Sequence, residues 1–473
     1  MDTPALYLQV VKKVEALIRA GTLLPGDRVP SVRHACKQHG VSVTTVLQAY
    51  LMLEDRGLIE ARPKSGFFVR TRVPQMVQEP RATKPASAVT AVTVGALQSR
   101  LFESSRMPGV VALGGAAPGP ELLPTQKLNR LLAAVSRSAG KRGVSYDMPQ
   151  GAEVLRREIA KRSLDGGTQL SPDDIITTSG GTEGLALCLR AVTKPGDVVA
   201  VESPTYFGLL HVIEALSLKA VEIPMHPKDG MDLDVLETVV KTRRIAACVA
   251  IPTFSNPLGS LMPDERKERL VRILASREVP LIEDDIFGEL YYGGQRPRVA
   301  QSFDKDQLVM LCSSFSKTLA PGYRVGWVVP GRFRARIQTL KLTSTLATAT
   351  LPQLAIAEFL ANGGYDHYLR SVRRLYQEQV EKVSQAIAAV FPGPIKITRP
   401  SGGFVLWVEL PKKVDALQLN EMALLEKISI APGPMFSAKQ DYRNFIRVSC
   451  GHPWSDRMER AIGMLGRMVG KLM

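Results

Sequence analysis

The sequence predicts an α/β domain of mostly parallel strands with helices on both faces, preceded by a small helical unit that ends in a hairpin. Three observations carry this expectation. From about Val110 to the end, short apolar runs bounded by turn residues alternate with helical patterns. Within that region Asn256 and Asp284 lie 28 positions apart, and Asp284 and Lys317 lie 33 apart. Both spacings are close to the ~30 residues of one βαβ unit. Before it, residues 4–70 hold three helical patterns and two short β-type stretches.

The chain has 473 residues, enough for two or three cores, with 45% hydrophobic and 22% charged residues. That balance is globular, and no apolar run approaches the ~18 residues of a membrane span. Met1 to Arg19 mixes charge with apolar residues and lacks the continuous apolar core of a signal peptide. Cys36, Cys188, Cys248, Cys312 and Cys450 are scattered, and the six histidines are dispersed, so no metal site is expected and a reducing cytoplasm is. The net charge of +16 suits a polyanionic partner, although basic composition alone leaves that open.

In the N-terminal unit, Leu6, Val10, Val14, Leu17 and Ile18 recur at helical spacing from about Pro4 to Ala20, and Gly21 stops the helix. A turn follows at Leu24-Pro25-Gly26-Asp27. Ser31 then caps a short helix that Gly40 ends, and Ser42 caps a third helix that Gly57 ends. Two β-type stretches, LIEA and GFFV, are joined by Arg62-Pro63-Lys64-Ser65. Two short helices across a tight turn make a helix-turn-helix, and the hairpin makes a wing. Arg33 can bond phosphates or a guanine edge, Ser42, Thr44 and Thr45 can bond either, and Lys64 with Gly66 belongs to the wing. Arg33 is equally compatible with a solvated helix charge, and Ser42 is a helix cap in any case.

The stretches Leu24-Pro25-Gly26-Asp27, Val29-Pro30-Ser31-Val32-Arg33, Val41-Ser42-Val43-Thr44-Thr45-Val46 and Ser65-Gly66-Phe67-Phe68-Val69 resemble the winged helix-turn-helix of GntR-type regulators. The resemblance implies contacts to double-stranded operator DNA through Arg33, the start of the third helix and the wing. Val43 departs from it, because the family often carries arginine there.

The expected domains are 1–71 for the winged unit, 72–108 for a linker and 109–473 for the α/β domain. The linker expectation rests on the prolines and small residues of TRVPQMVQEPRATKPASAVTAVT.

In the α/β domain, helices are expected at Thr125–Ser138 and Gly151–Ser163. The strand Ile175–Thr178 runs into Ser179-Gly180-Gly181-Thr182, a Gly-rich turn opening a helix, where free backbone N–H groups suit a phosphate. After the strand Val198–Glu202, Tyr206 offers an aromatic plate for a flat heterocycle, or simply a packed loop tyrosine. The strand Ala246–Ile251 leads to Asn256, a donor for a phenolate oxygen. The strand Val279–Ile282 leads to Asp284 and Asp285, which face opposite ways, so one of them can hold a pyridine nitrogen protonated. The strand Leu308–Cys312 leads to Ser314, Ser316, Lys317 and Arg324. These offer an amine for an aldehyde and donors for a phosphate dianion, which together describe pyridoxal 5′-phosphate (PLP).

From about residue 110 onward, these motifs resemble the fold-type I PLP-dependent aminotransferases. The resemblance implies that Lys317 forms the internal aldimine, Asp284 pairs with the ring nitrogen, Asn256 bonds the ring hydroxyl and Tyr206 stacks on the ring. It further implies that Gly181, Thr182, Ser314, Ser316 and Arg324 hold the phosphate, with Tyr146 reaching it from a second subunit. Arg447, in FIRVS, matches the arginine that binds a substrate carboxylate. The usual tyrosine two or three positions after the aspartate is replaced by Ile286 and Phe287, neither of which can donate. Together, the halves resemble the MocR family of bacterial transcription regulators. That implies a domain-swapped homodimer in which an amino acid, an amine or PLP itself is sensed through an aldimine. An active aminotransferase with an accessory DNA-binding module is the alternative.

Overall fold

A computed structural model gives the architecture, described for residues 6–19, 22–24, 26–55, 57–62, 65–69, 77–83, 88–95, 103 and 107–473. The chain divides into two compact units, Met1–Met76 and Val77–Met473.

The first unit comprises α1 (Leu6–Arg19), α2 (Val32–His39), α3 (Val43–Asp55) and the antiparallel hairpin β1 (Ile59–Arg62) and β2 (Gly66–Val69). Helical spacing puts Val10, Val14 and Ile18 of α1 against Val46, Ala49, Tyr50 and Leu53 of α3 in one buried cluster. Tyr50 fixes the turn before α2, because its hydroxyl donates to the Pro30 carbonyl at 2.7 Å. Ser31 accepts from the N–H of His34 and starts α2; Gly40, at φ +64°, ends it.

The larger unit is built on a sheet in the order β3-β7-β6-β9-β10-β11-β12-β5. Its strands are β3 (Val89–Ala91), β5 (Ile176–Thr178), β6 (Val198–Ser203), β7 (Lys219–His226), β9 (Ala247–Ala250), β10 (Leu281–Asp284), β11 (Val309–Ser314) and β12 (Gly326–Val329). A short strand, β8 (Gly230–Met231), pairs with β7, and β4 (Val111–Ala112) belongs to a separate two-stranded sheet. β7, β6, β9, β10 and β11 run parallel; β3 and β12 run against their neighbours. Alternate residues serve opposite faces: Val199, Val201, Val249, Ile282 and Met310 enter one core, while Ala200, Cys248, Leu281 and Val309 enter another. A one-residue slip would exchange the faces and set each side chain into a core packed for others, at roughly 1–3 kcal/mol for each position overpacked. That fixes the register, and with it the residues at each strand end.

Part of the segment expected as a linker (72–108) is built into this unit instead. Val89–Ala91 pairs with the otherwise open edge of β7, and the N–H of Met225 donates to the Thr83 hydroxyl at 2.6 Å. The edge strand's unpaired backbone groups supply the reason.

Helices cover the sheet: α4 (Thr125–Ala139), α5 (Glu153–Ser163), α6 (Gly181–Val192), α7 (Phe207–Ala215), α8 (Leu233–Thr242), α9 (Asp264–Ala275), α10 (Arg334–Leu342) and α11 (Thr350–Ala361). The 27-residue α12 (Gly364–Val390) leads to a second, antiparallel sheet, β13 (Lys396–Ile397), β14 (Val405–Glu409), β17 (Phe445–Ser449) and β16 (Ala431–Pro432). α13 (Ala416–Leu425) and α14 (Asp456–Lys471) pack with it, and β15 (Ile428–Ser429) pairs with β4. Among the described residues no helix is long and apolar enough to cross a membrane, and no His, Cys, Asp and Glu cluster could hold a metal.

Candidate functional site

β6, β9, β10 and β11 are adjacent and parallel, so their C-terminal ends bring Tyr206, Asn256, Asp284 and Lys317 to one end of the sheet. The chain passes outward from β6 to β7 and returns on the other side of β6 to β9. Such a reversal opens a crevice at the strand ends, where open α/β sheets bind ligands.

Lys317 follows β11, half-buried, and its ammonium donates to the Ala116 carbonyl at 2.5 Å. Burial lowers its pKa to about 8; Arg447 and Arg324 push the same way and Asp284 opposes them. Asp284 ends β10, 4% exposed. Burial raises its carboxyl to about 7, Asp285 and Glu283 add to this, and Lys317 and the N–H of Ile286 oppose it. A carboxyl this poorly solvated gains from a cationic partner such as a protonated pyridine nitrogen.

Asp285 turns the other way and pairs with Arg296. Arg296 also pairs with Glu289 at 2.8 Å, and Glu289 takes Arg162 and Arg373 as well. Alternation along the chain thus separates a site carboxylate from a structural one.

Arg447, on β17, is fully buried. Its Nη1 donates to Asn256 Oδ1 at 3.1 Å, its Nη2 donates to the Gly114 carbonyl, and its Nε has no partner. Phe207 and Phe436 lie under the guanidinium at 5.3 and 5.2 Å. Among the described residues no carboxylate pairs with it. Burial lowers its pKa to about 10, with Tyr206 opposing. A desolvated guanidinium without a counter-ion costs several kcal/mol, which a carboxylate on its fork offsets. Because Arg447 occupies Oδ1 of Asn256, the amide keeps its NH₂ as the free donor, the end a phenolate needs.

A third group assembles at the N-terminus of α6. Arg324 donates to the Ser179 carbonyl at 3.1 Å and to the Ser316 hydroxyl at 3.2 Å, and the Ser316 N–H donates to Ser314 Oγ at 3.2 Å. Gly180, at φ +86°, admits Arg324: a Cβ there would stand 2.2 Å from Nη2. A Cβ on Gly181 would stand 3.8 Å from Ser314 Oγ, and Thr182 is exposed on the same turn. Glu183 on that turn is engaged by the N–H of Ser179 and the Thr345 hydroxyl. Helix N–H groups, hydroxyls and a guanidinium converging here suit a phosphate dianion.

Tyr206 precedes α7, with its ring folded over Gly208, where a Cβ would meet it at 2.3 Å. Burial raises its phenol pKa; Asp284 adds to the effect, while Arg447 and Arg324 oppose it, which puts the ring in the field of all three. Tyr146 is 89% exposed in the single chain. Phe287 is buried edge-on against Phe404 at 5.3 Å, and Ile286 faces Gly181. These residues fit PLP: a nucleophilic amine, a buried carboxyl, an amide donor and a phosphate cradle.

In the first unit Arg33, Ser42, Thr44 and Gly66 are exposed and Thr45 is half-buried. The Ser42 hydroxyl accepts from the N–H of Thr45 at 3.2 Å and so caps α3. Gly66, at φ +98°, lies against Arg28. Lys64 lies outside the described residues. Reading the sequence passed over Gly114 and Ala116, whose backbone carbonyls carry no side-chain signal. It also passed over Glu202, buried at the end of β6, whose carboxyl accepts the Ile251 N–H and is raised to about 8 by burial.

Residues 121–465 match the model of aminotransferase class I and II, and residues 6–69 match that of bacterial regulatory proteins of the gntR family. The uncharacterized HTH-type transcriptional regulator YdcR of Escherichia coli is 40% identical over 98% of both chains. Among solved structures, LysN, the alpha-aminoadipate aminotransferase of Thermus thermophilus complexed with N-(5′-phosphopyridoxyl)-L-leucine, is 28% identical with a TM-score of 0.73, covering 81% of this chain and 96% of that one. The Pyrococcus horikoshii kynurenine aminotransferase in complex with PMP is 27% identical with a TM-score of 0.73, covering 79% and 94%.

Proposed function

Because the chain belongs to the aminotransferase class I and II family and, along nearly its whole length, to HTH-type transcriptional regulators with a gntR-type N-terminal domain, we propose that it is a DNA-binding regulator whose larger unit senses an amino compound at a PLP site. PLP is the cofactor; when bound it supplies an aldehyde for amines and a ring that accepts electron density. Lys317 is its anchoring amine and Asp284 holds the ring nitrogen's proton. Asn256 bonds the ring hydroxyl and Tyr206 covers the ring. Gly181, Thr182, Ser314, Ser316 and Arg324 take the phosphate.

One observation carries the sensing half: Arg447 is fully buried, has no carboxylate partner among the described residues, and bonds the Asn256 amide. An amino acid presents a carboxylate to Arg447 and an amine near Lys317. PLP itself is the effector in the simplest variant. Tyr146 and its exposed neighbours Val144 and Met148 support a domain-swapped homodimer, with Tyr146 completing the partner's phosphate site. Operator DNA as the partner goes with a cytoplasmic location, and Arg33, Ser42, Thr44, Thr45, Lys64 and Gly66 are its contacts.

A second reading, an aminotransferase with an accessory DNA-binding unit, is favoured by the retention of Lys317, Asp284 and Arg447. Phe287 opposes it, since its buried ring brings no second donor to the ring hydroxyl. The test is turnover of amino acids against keto acids by the PLP-loaded protein, beside its binding of DNA from upstream of its own gene. Ligand-responsive DNA binding with negligible turnover supports the regulator; rapid turnover without sequence-specific binding supports the enzyme.

A further inference from the structure

We infer that α3 reads thymine methyl groups in the major groove through Val43, Leu47 and Leu51; the inference rests on the DNA-binding reading and specifies what that unit recognises. α3 buries Val46, Ala49, Tyr50 and Leu53. Beside that buried face Val43, Leu47 and Leu51 are exposed at 53%, 37% and 54%. Spaced four apart, the three form one stripe along the helix. Between Val43 and Leu53 the helix carries no charge, and exposed Thr44 and Gln48 flank the stripe.

Such a face would be a liability in water unless something covers it. The charge balance of the unit points to what does. Residues 6–69 hold nine basic and five acidic side chains, and Arg28, Arg33 and Lys37 are exposed. A unit with this cationic excess and an apolar stripe on one helix complements a polyanion with apolar features inside its groove. In the major groove the thymine C5-methyl is that feature, and the adenine opposite offers the N6 and N7 edge that an amide such as Gln48 bonds in pairs. Four helical residues rise about 6 Å, close to two base steps of about 3.4 Å. The stripe therefore selects thymines about two steps apart in each half-site.

The test uses the full-length, PLP-loaded protein and duplexes it enriches from a random-sequence pool. Every thymine of the enriched half-site is then replaced by deoxyuridine, which removes the methyl and keeps the pairing. Loss of one buried methyl should weaken binding about fourfold, and of two about fifteenfold. Leu47→Ala should abolish the discrimination at one position, while salt dependence stays as in the parent. Equal affinity for the two duplexes overturns the inference and leaves DNA binding standing. Failure to enrich any sequence removes the DNA-binding reading and the inference with it. If Leu47→Ala and Leu51→Ala shift the oligomeric state without changing the thymine-to-deoxyuridine ratio, the stripe packs against protein and the inference is wrong.

Discussion

Arg447 Nη1 donates to Asn256 Oδ1 at 3.1 Å, although 191 positions separate the two residues. The residue matched to effector carboxylates is thereby bonded to the residue matched to the cofactor's ring hydroxyl. Removing either leaves a buried polar group without its partner, so the two are expected to act as a pair. Arg447→Met and Asn256→Ala should each weaken binding of a carboxylate-bearing effector. In a double-mutant cycle, titration calorimetry should give a coupling of roughly 0.5–3 kcal/mol. Strict additivity would separate the two functions.

Lys317 should take up PLP with a pH dependence set by its lowered pKa. The neutral amine is the reactive form, and with a pKa near 8 about a tenth is neutral at pH 7. The rate of cofactor uptake by cofactor-free protein, followed by visible absorbance, should rise with pH to about 8 and then level. Arg447→Gln removes a cation that lowers this pKa, so its midpoint should move upward.

Gly180→Ala should empty the phosphate cradle without unfolding the protein. The new Cβ would stand 2.2 Å from Arg324 Nη2 at a φ of +86°, so the guanidinium must leave. Cofactor affinity should fall about tenfold or more, since a charge-assisted bond to phosphate is worth ~1.5–3 kcal/mol. Equilibrium dialysis measures this, with far-UV circular dichroism as the control for folding.

The Glu289 network should show as acid lability. Burial raises the Glu289 carboxyl, but Arg296 and Arg162 outweigh that and bring it down to about 2. A depressed carboxyl contributes stability above its unfolded pKa near 4.5, and that contribution fades as pH falls toward 2. The difference in denaturation midpoint between the parent and Glu289→Gln should be full above about pH 5.5 and narrow below it. Arg296→Met, which strands Asp285 while Glu289 keeps Arg162 and Arg373, should cost roughly 3–5 kcal/mol at pH 7.

Local chemistry made much of this legible in the sequence. Ser31 and Gly40 bound α2 because a hydroxyl cap and a left-handed glycine leave distinct marks. Asn256, Asp284 and Lys317 fall at strand ends because each follows an unbroken apolar run. The pairing of Arg447 with Asn256 was not legible, since it depends on how two sheets meet. Neither was the use of the Gly114 and Ala116 carbonyls by Arg447 and Lys317, because main-chain oxygens are the same at every residue. β3 was hidden in a Pro-rich stretch: three residues are too few to show a period, and its partner edge is set by tertiary structure.

The most direct measurement follows DNA binding and cofactor absorbance in the same sample, with and without PLP and a panel of amino acids, at fixed salt. Sequence-specific binding to DNA upstream of the gene should change in affinity with the same ligand, and at the same concentration, that changes the absorbance. Lys317→Ala should lose both responses while keeping its fold. DNA binding that ignores every ligand able to alter the spectrum would contradict the sensor.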